Sequence, residues 1–105
     1  MSESSAQFFV GQLVHHVRFD YRGVVVDVDP DFQGTDAWYD AVARSRPPRD
    51  KPWYHVLVHD SDARTYVAER HLEPDGSGEP IAHPLVEQYF RGLAGGVYVP
   101  SRAAS

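Results

Sequence analysis

The residue types best suited to chemistry are six histidines and a run of three aspartates, Asp27, Asp29 and Asp31. Imidazole and carboxylate groups bind metal ions and act as general acids and bases. His55 and His59 lie on one face of a predicted strand, but the strand separates them by about 13 Å. One ion that binds its ligands at about 2.1 Å cannot reach both. The sequence therefore predicts no metal site, and it leaves open only a site assembled from distant parts of the chain.

The aspartate run resembles the start of a calcium-binding loop. The sixth position counted from Asp27 is Phe32 rather than glycine, and the twelfth is Trp38 rather than glutamate, which excludes that loop. Asp27 and Asp29 are also about 6.6 Å apart on one strand face, a separation at which paired carboxylates can act as acid and base. Because nothing nearby suggests a sugar cleft, the sequence predicts two solvated carboxylates.

Other catalytic constellations are missing from the sequence. There is no cysteine, which excludes a thiol nucleophile, thiolate-bound zinc and a disulfide framework. A glycine loop that cradles phosphate and a GxSxG motif are also absent. Asp27, Asp29 and His55 are the only residues that an enzyme hypothesis could name. We therefore predict a protein without catalytic activity and without a cofactor.

The composition is that of one folded domain. The chain has 105 residues, of which 42% are hydrophobic and 24% charged, and its net charge is -5. This balance disfavours general nucleic-acid binding, because phosphates attract clustered lysine and arginine. No apolar run approaches the roughly 18 residues of a membrane span, and the polar start MSESSAQ lacks the features of a signal peptide. The sequence predicts a cytoplasmic protein.

The aspartates are positioned by a predicted central strand, YRGVVVDVDPD, at residues 21–31. Its β-branched valines favour a strand, and Pro30 ends it. Alternation predicts a core face with Val24, Val26 and Val28 and a solvent face with the aspartates.

Three further strands are predicted around the central one. A strand near residues 13–18 leads through a turn into the central strand, which gives an antiparallel pair. Residues 53–59 and 64–68 form two more strands, and a short polar link between them predicts a hairpin. Short links and alternating patterns together predict a mainly β fold, a small antiparallel β-barrel over residues 8–75.

Two helices are predicted outside the strands. Thr35 caps a short inserted helix at about 36–45, which the prolines at 47 and 48 stop. An apolar stripe at helical spacing predicts a C-terminal helix at about 84–93. This helix and the loop before it, residues 76–99, would pack on the barrel or on a neighbouring subunit, so a homo-oligomer is left open. Residues 1–7 and 100–105 are predicted to be disordered tails.

The binding candidates are one basic cluster and several aromatic side chains. The predicted DNA or anion contacts are Arg22, Arg44, Arg46, Arg49 and Lys51. A solvated connection between helix and strand is the alternative interpretation of residues 44–51. The predicted protein contacts are Trp38, Trp53, Tyr89 and Phe90. Trp53 has the alternative of packing beneath the insertion at residues 31–50.

The segments GQLVHH, YRGVVVDVDP, WYHVLVHD and TYVAERHLEP, in this order, resemble the HspQ family, also called the YccV-like or hemimethylated-DNA-binding domain. The resemblance covers roughly residues 8–75. It implies a small SH3-like β-barrel and a bacterial heat-shock protein without catalytic activity. It also implies two roles: binding hemimethylated DNA, and promoting degradation of proteins such as the replication initiator DnaA by a Lon-type ATP-dependent protease. A generic SH3-like protein-interaction module without DNA binding is the alternative.

Overall fold

The structure is a computed structural model that describes residues 6–101. Its main sheet has five antiparallel strands in the order β4-β3-β2-β1-β5, and a second sheet pairs β6 with β7. The strands are β1 (Leu13–His16), β2 (Tyr21–Asp29), β3 (Trp53–Val58), β4 (Arg64–Ala68), β5 (Leu72–Pro74), β6 (Phe90–Ala94) and β7 (Val97–Pro100). The helices are α1 (Asp36–Val42), α2 (Val86–Tyr89) and a 3₁₀ turn at Glu69–His71. The predicted disordered tails fall mostly on residues 1–5 and 102–105, outside the described residues.

The predicted mainly β fold is confirmed, together with the antiparallel pairing of β1 with β2 and of β3 with β4. Strand β5, which was not predicted, pairs with β1 and places Leu72 opposite His16. The main sheet has β4 and β5 at its edges, and no ladder joins these two strands within residues 6–101. The closed SH3-like barrel is therefore not confirmed.

A β-bulge divides the central strand. Val25 lies opposite Val56, but Asp27 lies opposite His55, so Val26 is an extra residue on β2. An extra residue reverses the side-chain alternation beyond it. Val28 accordingly packs in the same cluster as Val25, on the other side of the sheet from Val24. The predicted single valine face is wrong, because both faces of β2 are buried.

Each face of the main sheet carries its own core. One face buries Phe8, Val14, Val25, Tyr54, Val56, Val67 and Leu72. The other face is covered at one end by the C-terminal segment, where Ile81, Phe90 and Tyr98 pack against strand residues Leu13, Val24, Val26 and Leu57. At its opposite end Tyr39 and Ala43 pack on Trp53 and Ala68. The predicted packing of Trp53 beneath the insertion is thus confirmed.

The inserted helix has the predicted cap and a shorter span. The Thr35 side chain accepts the backbone N–H of Trp38 at 3.1 Å, as expected of a threonine N-cap. The helix ends at Val42, because the chain then turns towards the prolines, with Arg46 at a φ of 55°. Within residues 6–101, neither helix has the length and apolarity that crossing a membrane requires.

The predicted C-terminal helix is mostly wrong. Helix α2 covers only Val86–Tyr89, and a β-hairpin follows it directly. Gly95 and Gly96 have φ values of 61° and 81°, the left-handed conformation that two-residue hairpin turns require. The apolar spacing suited a helix, but this Gly-Gly turn and the burial of Phe90 beside Tyr98 favour two strands.

Candidate functional site

A cleft with a cavity volume of about 280 Å³ opens between the β1–β2 turn, residues 17–20, and the segment that follows α1, residues 43–47. Its lining includes Arg18 and Arg44 together with His16 and His71, and no lining residue is acidic. We call it the cationic cleft. On a chain whose net charge is -5, an acid-free lining makes this the region suited to an anion.

The turn that forms one wall is held by a buried histidine. His16 is 3% exposed, and its Nδ1 accepts the backbone N–H groups of Arg18 at 3.1 Å and Phe19 at 3.0 Å. Burial, with smaller contributions from the nearby charges of His71, His15 and Arg18, lowers the pKa of His16 to about 4. The neutral imidazole therefore stays an acceptor at neutral pH. The locked turn holds Phe19 outward, with 71% of its surface exposed.

The predicted basic cluster is divided between paired and unpaired cations. Arg46 forms an ion pair with Asp40 at 2.9 Å, and Arg49 forms one with Asp36. Both guanidinium groups also lie over the ring of Tyr39. These contacts compensate the charge of Arg46 and Arg49 locally, so they add little attraction for a phosphate.

Arg44 and the unpredicted Arg18 form no ion pair with any other residue in the described range. Arg70 supports this wall, because it donates to the Ser45 carbonyl oxygen at 2.8 Å. Lys51 is exposed but does not line the cleft. The cleft therefore contains one of the predicted cations, Arg44, and one cation that was not predicted, Arg18.

The predicted contact Arg22 lies elsewhere. Its Nε donates to Asp75 at 2.8 Å, and its Nη2 donates to the carbonyl oxygen of Glu79 at 2.6 Å. Burial raises the pKa of Asp75, but the hydrogen bonds from Arg22 and Ser77 outweigh it and leave the pKa below its usual value. Seven residues of strand, about 23 Å, separate Arg22 from Asp29 at the α1 end of β2. The structure does not bring Arg22 together with residues 44–51.

The four predicted protein-contact residues fall into two groups. Trp53 and Phe90 are each 2% exposed and pack in the core, so their side chains offer no surface to a partner. The Trp53 Nε1 group donates to the carbonyl oxygen of Pro48 at 3.0 Å, as a buried indole N–H usually finds an acceptor. Trp38 and Tyr89 are half-buried and reach the surface.

A second pocket of about 470 Å³ lies behind Trp38 and is lined by Asp29, Gln33, Gly34, Thr35, Trp38, His55 and Tyr66. We call it the anionic pocket. The Tyr66 hydroxyl donates to Asp29 Oδ2 at 2.6 Å, and His55 Nε2 lies 3.3 Å from the same oxygen. Burial and this hydrogen bond raise the pKa of Tyr66. Asp29 is therefore partly buried and hydrogen-bonded, whereas the sequence predicted a solvated carboxylate.

Sequence reasoning missed Arg18, Phe19 and His71 in the cleft. A signal for the first two was present in VRFD, where an aromatic residue next to arginine occupies a turn rather than a strand face. His71 had no such signal, because its position depends on β5 pairing with β1.

The comparison with known protein families gives a match over most of the chain. A family model described as hemimethylated DNA-binding protein YccV like matches residues 6–97. The matched range contains every residue of the cationic cleft and of the anionic pocket.

Proposed function

This chain belongs to the YccV-like family of hemimethylated DNA-binding proteins, and from that premise we propose that it is a non-enzymatic DNA-binding protein whose cationic cleft contacts the duplex. One observation carries the choice of surface. The cleft lining holds Arg18 and Arg44 and no acidic residue, although the whole chain has a net charge of -5. Phosphate attraction supplies most non-specific DNA affinity, so the duplex binds where positive charge is uncompensated.

The size of the cleft sets how a duplex would lie on it. A cavity of about 280 Å³ admits a side chain or a phosphate but not a double helix. The duplex would lie across the rim, with Arg18 and Arg44 on phosphate oxygens. The β1–β2 turn joins two neighbouring inner strands of the five-stranded sheet, and its tip is similar in width to the two-stranded ribbons that the major groove admits. Phe19 at this tip would then face the base edges.

An exposed phenyl ring is suited to recognise a methyl group on a base. Burying one methyl group contributes about 0.8 kcal/mol, which corresponds to roughly a fourfold preference in affinity. We therefore expect a modest preference for a duplex that carries a methylated base on one strand. Replacing Phe19 by alanine should abolish this preference and leave most of the phosphate-based affinity.

Fluorescence anisotropy at several salt concentrations tests the surface. The double variant R18A/R44A should weaken binding and reduce the slope of log K against log salt by about 1.8, or about 0.9 per lost phosphate contact. The matched control R46A/R49A removes the same charge from arginines that Asp40 and Asp36 already compensate. Equal slopes for the two variants would refute the cleft as the contact surface. Absence of binding to any duplex at low salt would refute DNA binding itself.

A second function, supported by a different observation, is that of a cytoplasmic heat-shock accessory factor for a Lon-type protease. Among residues 6–101, five large apolar residues are exposed: Phe9, Val10, Val17, Phe19 and Val42. Exposed apolar side chains are suited to protein contacts. Such a factor would promote degradation of substrates such as DnaA without chemistry of its own.

Reconstituted proteolysis separates this role from DNA binding. The variant F9S/V10S changes apolar residues that do not line the cleft, so it should reduce stimulation of proteolysis and preserve DNA affinity. Turnover that is the same with and without the wild-type protein would exclude the accessory role.

A further inference from the structure

We propose that Asp27, Asp29 and His55 form a binding site for one divalent transition-metal ion of the Zn²⁺ class, at the edge of the anionic pocket. One ligand atom from each of the three side chains can be chosen so that all lie within 4.8 Å of one another. This proposal is separate from the proposed DNA function, and none of the three ligand residues lines the cationic cleft.

The β-bulge is what assembles the site. Before the bulge, β2 and β3 pair in a regular register that places Val25 opposite Val56. Without the extra residue, His55 would face Val26, and Asp27 would point to the opposite side of the sheet. With it, Asp27 lies directly opposite His55, and Asp29 follows on the same face. Bulges are known to re-aim side chains in this way next to functional sites.

The distances fit a single ion after small side-chain movements. Two ligands that each bind at about 2.1 Å can be no more than about 4.2 Å apart. His55 Nε2 and Asp29 Oδ2 are 3.3 Å apart, close to the roughly 3.4 Å that a tetrahedral site of this size requires. The remaining separations, up to 4.8 Å, must shorten by up to about 1.4 Å to reach this spacing, which movement of both side chains can share.

The donor set selects the class of ion. Two carboxylates balance the charge of a divalent cation, and an imidazole nitrogen favours zinc, cobalt or nickel over magnesium and calcium, which prefer oxygen ligands. The Tyr66 hydroxyl donates to Asp29 Oδ2 at 2.6 Å and would orient this ligand, as groups behind metal ligands commonly do. Three protein ligands leave a coordination position open towards the pocket.

Another histidine provides the matched control. His15 also lies between two carboxylates, with Nε2 2.7 Å from Asp20 and Nδ1 2.7 Å from Glu73. These two nitrogens point away from each other, so the two carboxylates cannot share one ion with the ring. The composition resembles that of the proposed site, but the geometry does not permit chelation.

Titration calorimetry of the tag-free, chelator-treated full chain with ZnCl₂ tests the proposal. The wild type and H15Q should each bind one Zn²⁺, whereas D27N and H55Q should lose at least tenfold in affinity. Zn²⁺ at a hundredfold excess over its Kd should raise the Tm by about 10 °C. Co²⁺ should give visible absorption bands that D27N removes, and Mg²⁺ at the same concentration should give no response.

D27N keeps the test independent of folding, because Asp27 is exposed and its metal-free Tm should match that of the wild type. An unchanged wild-type Tm in Zn²⁺ would overturn the proposal. Retained Zn²⁺ affinity in both D27N and H55Q would also overturn it, as would an equal loss in H15Q.

Discussion

His16 binds Phe19 in two ways at once. Their rings stack with centroids 4.8 Å apart, and His16 Nδ1 accepts the Phe19 backbone N–H at 3.0 Å. A buried side chain on β1 thereby fixes the turn that carries an exposed aromatic residue. The shape of the cationic cleft therefore depends on a residue that need not contact the ligand.

Replacing His16 should destabilise the fold and loosen this turn. H16A leaves two backbone N–H groups without their acceptor and removes the stacked ring, at a cost of about 2 kcal/mol in the free energy of unfolding. H16N keeps an acceptor near the Nδ1 position and should recover part of the loss. Urea denaturation of the three proteins measures the difference, and equal midpoints for H16A and wild type would contradict the role of the ring.

Stability should fall as the pH drops from 6.5 towards 4. The unfolded His16 titrates near 6.5 and the folded one at about 4, so the unfolded chain binds more protons in this window. Between pH 7.5 and pH 5, His16 should contribute a loss of about 2 kcal/mol. Urea denaturation at both pH values measures it.

Two neighbouring histidines modify the size of this pH effect. The pKa of His71 is lowered by burial and acts in the same direction. The pKa of His15 is raised by hydrogen bonds to Asp20 and Glu73, so its contribution is present below pH 6.5 and is lost as the pH rises through its folded pKa. H16N should flatten the profile; an unchanged profile would assign the dependence to other groups.

Gly23 should not tolerate a side chain. A Cβ at this position would lie 2.6 Å from the Leu57 carbonyl oxygen and 2.4 Å from a methyl carbon of Val56. Since the backbone of β3 cannot move without breaking its ladder, G23A should cost about 2 kcal/mol or more. G92A is the control, because a Cβ there meets nothing within 4 Å. In thermal unfolding experiments, G23A should have a lower Tm than the wild type, and G92A should have the same Tm as the wild type.

Arg22 should contribute to stability rather than to DNA affinity. Its bonds to Asp75 and to the Glu79 carbonyl oxygen tie the loop after β5 to the sheet. R22A should therefore lower the free energy of unfolding by about 1 to 3 kcal/mol and leave the salt slope of DNA binding unchanged. A reduced slope would instead restore Arg22 as a phosphate contact, as the sequence analysis predicted.

The sequence pattern correctly predicted the elements that depend on interactions between residues close together in the chain. β-Branched residues placed β2 and β3, and Thr35 placed the start of α1, because these signals act within a few residues. The register of β2 against β3 depends on the β-bulge at Val26. The alternation of apolar and polar residues along the sequence does not reveal this extra residue. The aspartates were therefore assigned to solvent, although the bulge turns them towards His55.

The grouping of basic residues in the sequence did not reveal which of them are paired with acidic residues, for a related reason. Four basic residues in a short segment suggest one binding surface, but the partners of Arg46 and Arg49 are Asp40 and Asp36, which only the path of the chain after α1 brings close. Conversely, Arg18 lies far from Arg44 in sequence, and only the fold brings both to the lining of the cationic cleft.

The two tryptophans, Trp38 and Trp53, occupy opposite kinds of environment. Trp53 is enclosed under α1 at the bottom of the cationic cleft, whereas Trp38, together with Tyr66, lines both the cationic cleft and the anionic pocket. The two indole rings are 6.1 Å apart, so their emissions overlap in the wild type, and filling either space should change the fluorescence mainly through Trp38. A W53F protein would isolate the Trp38 signal without any added dye.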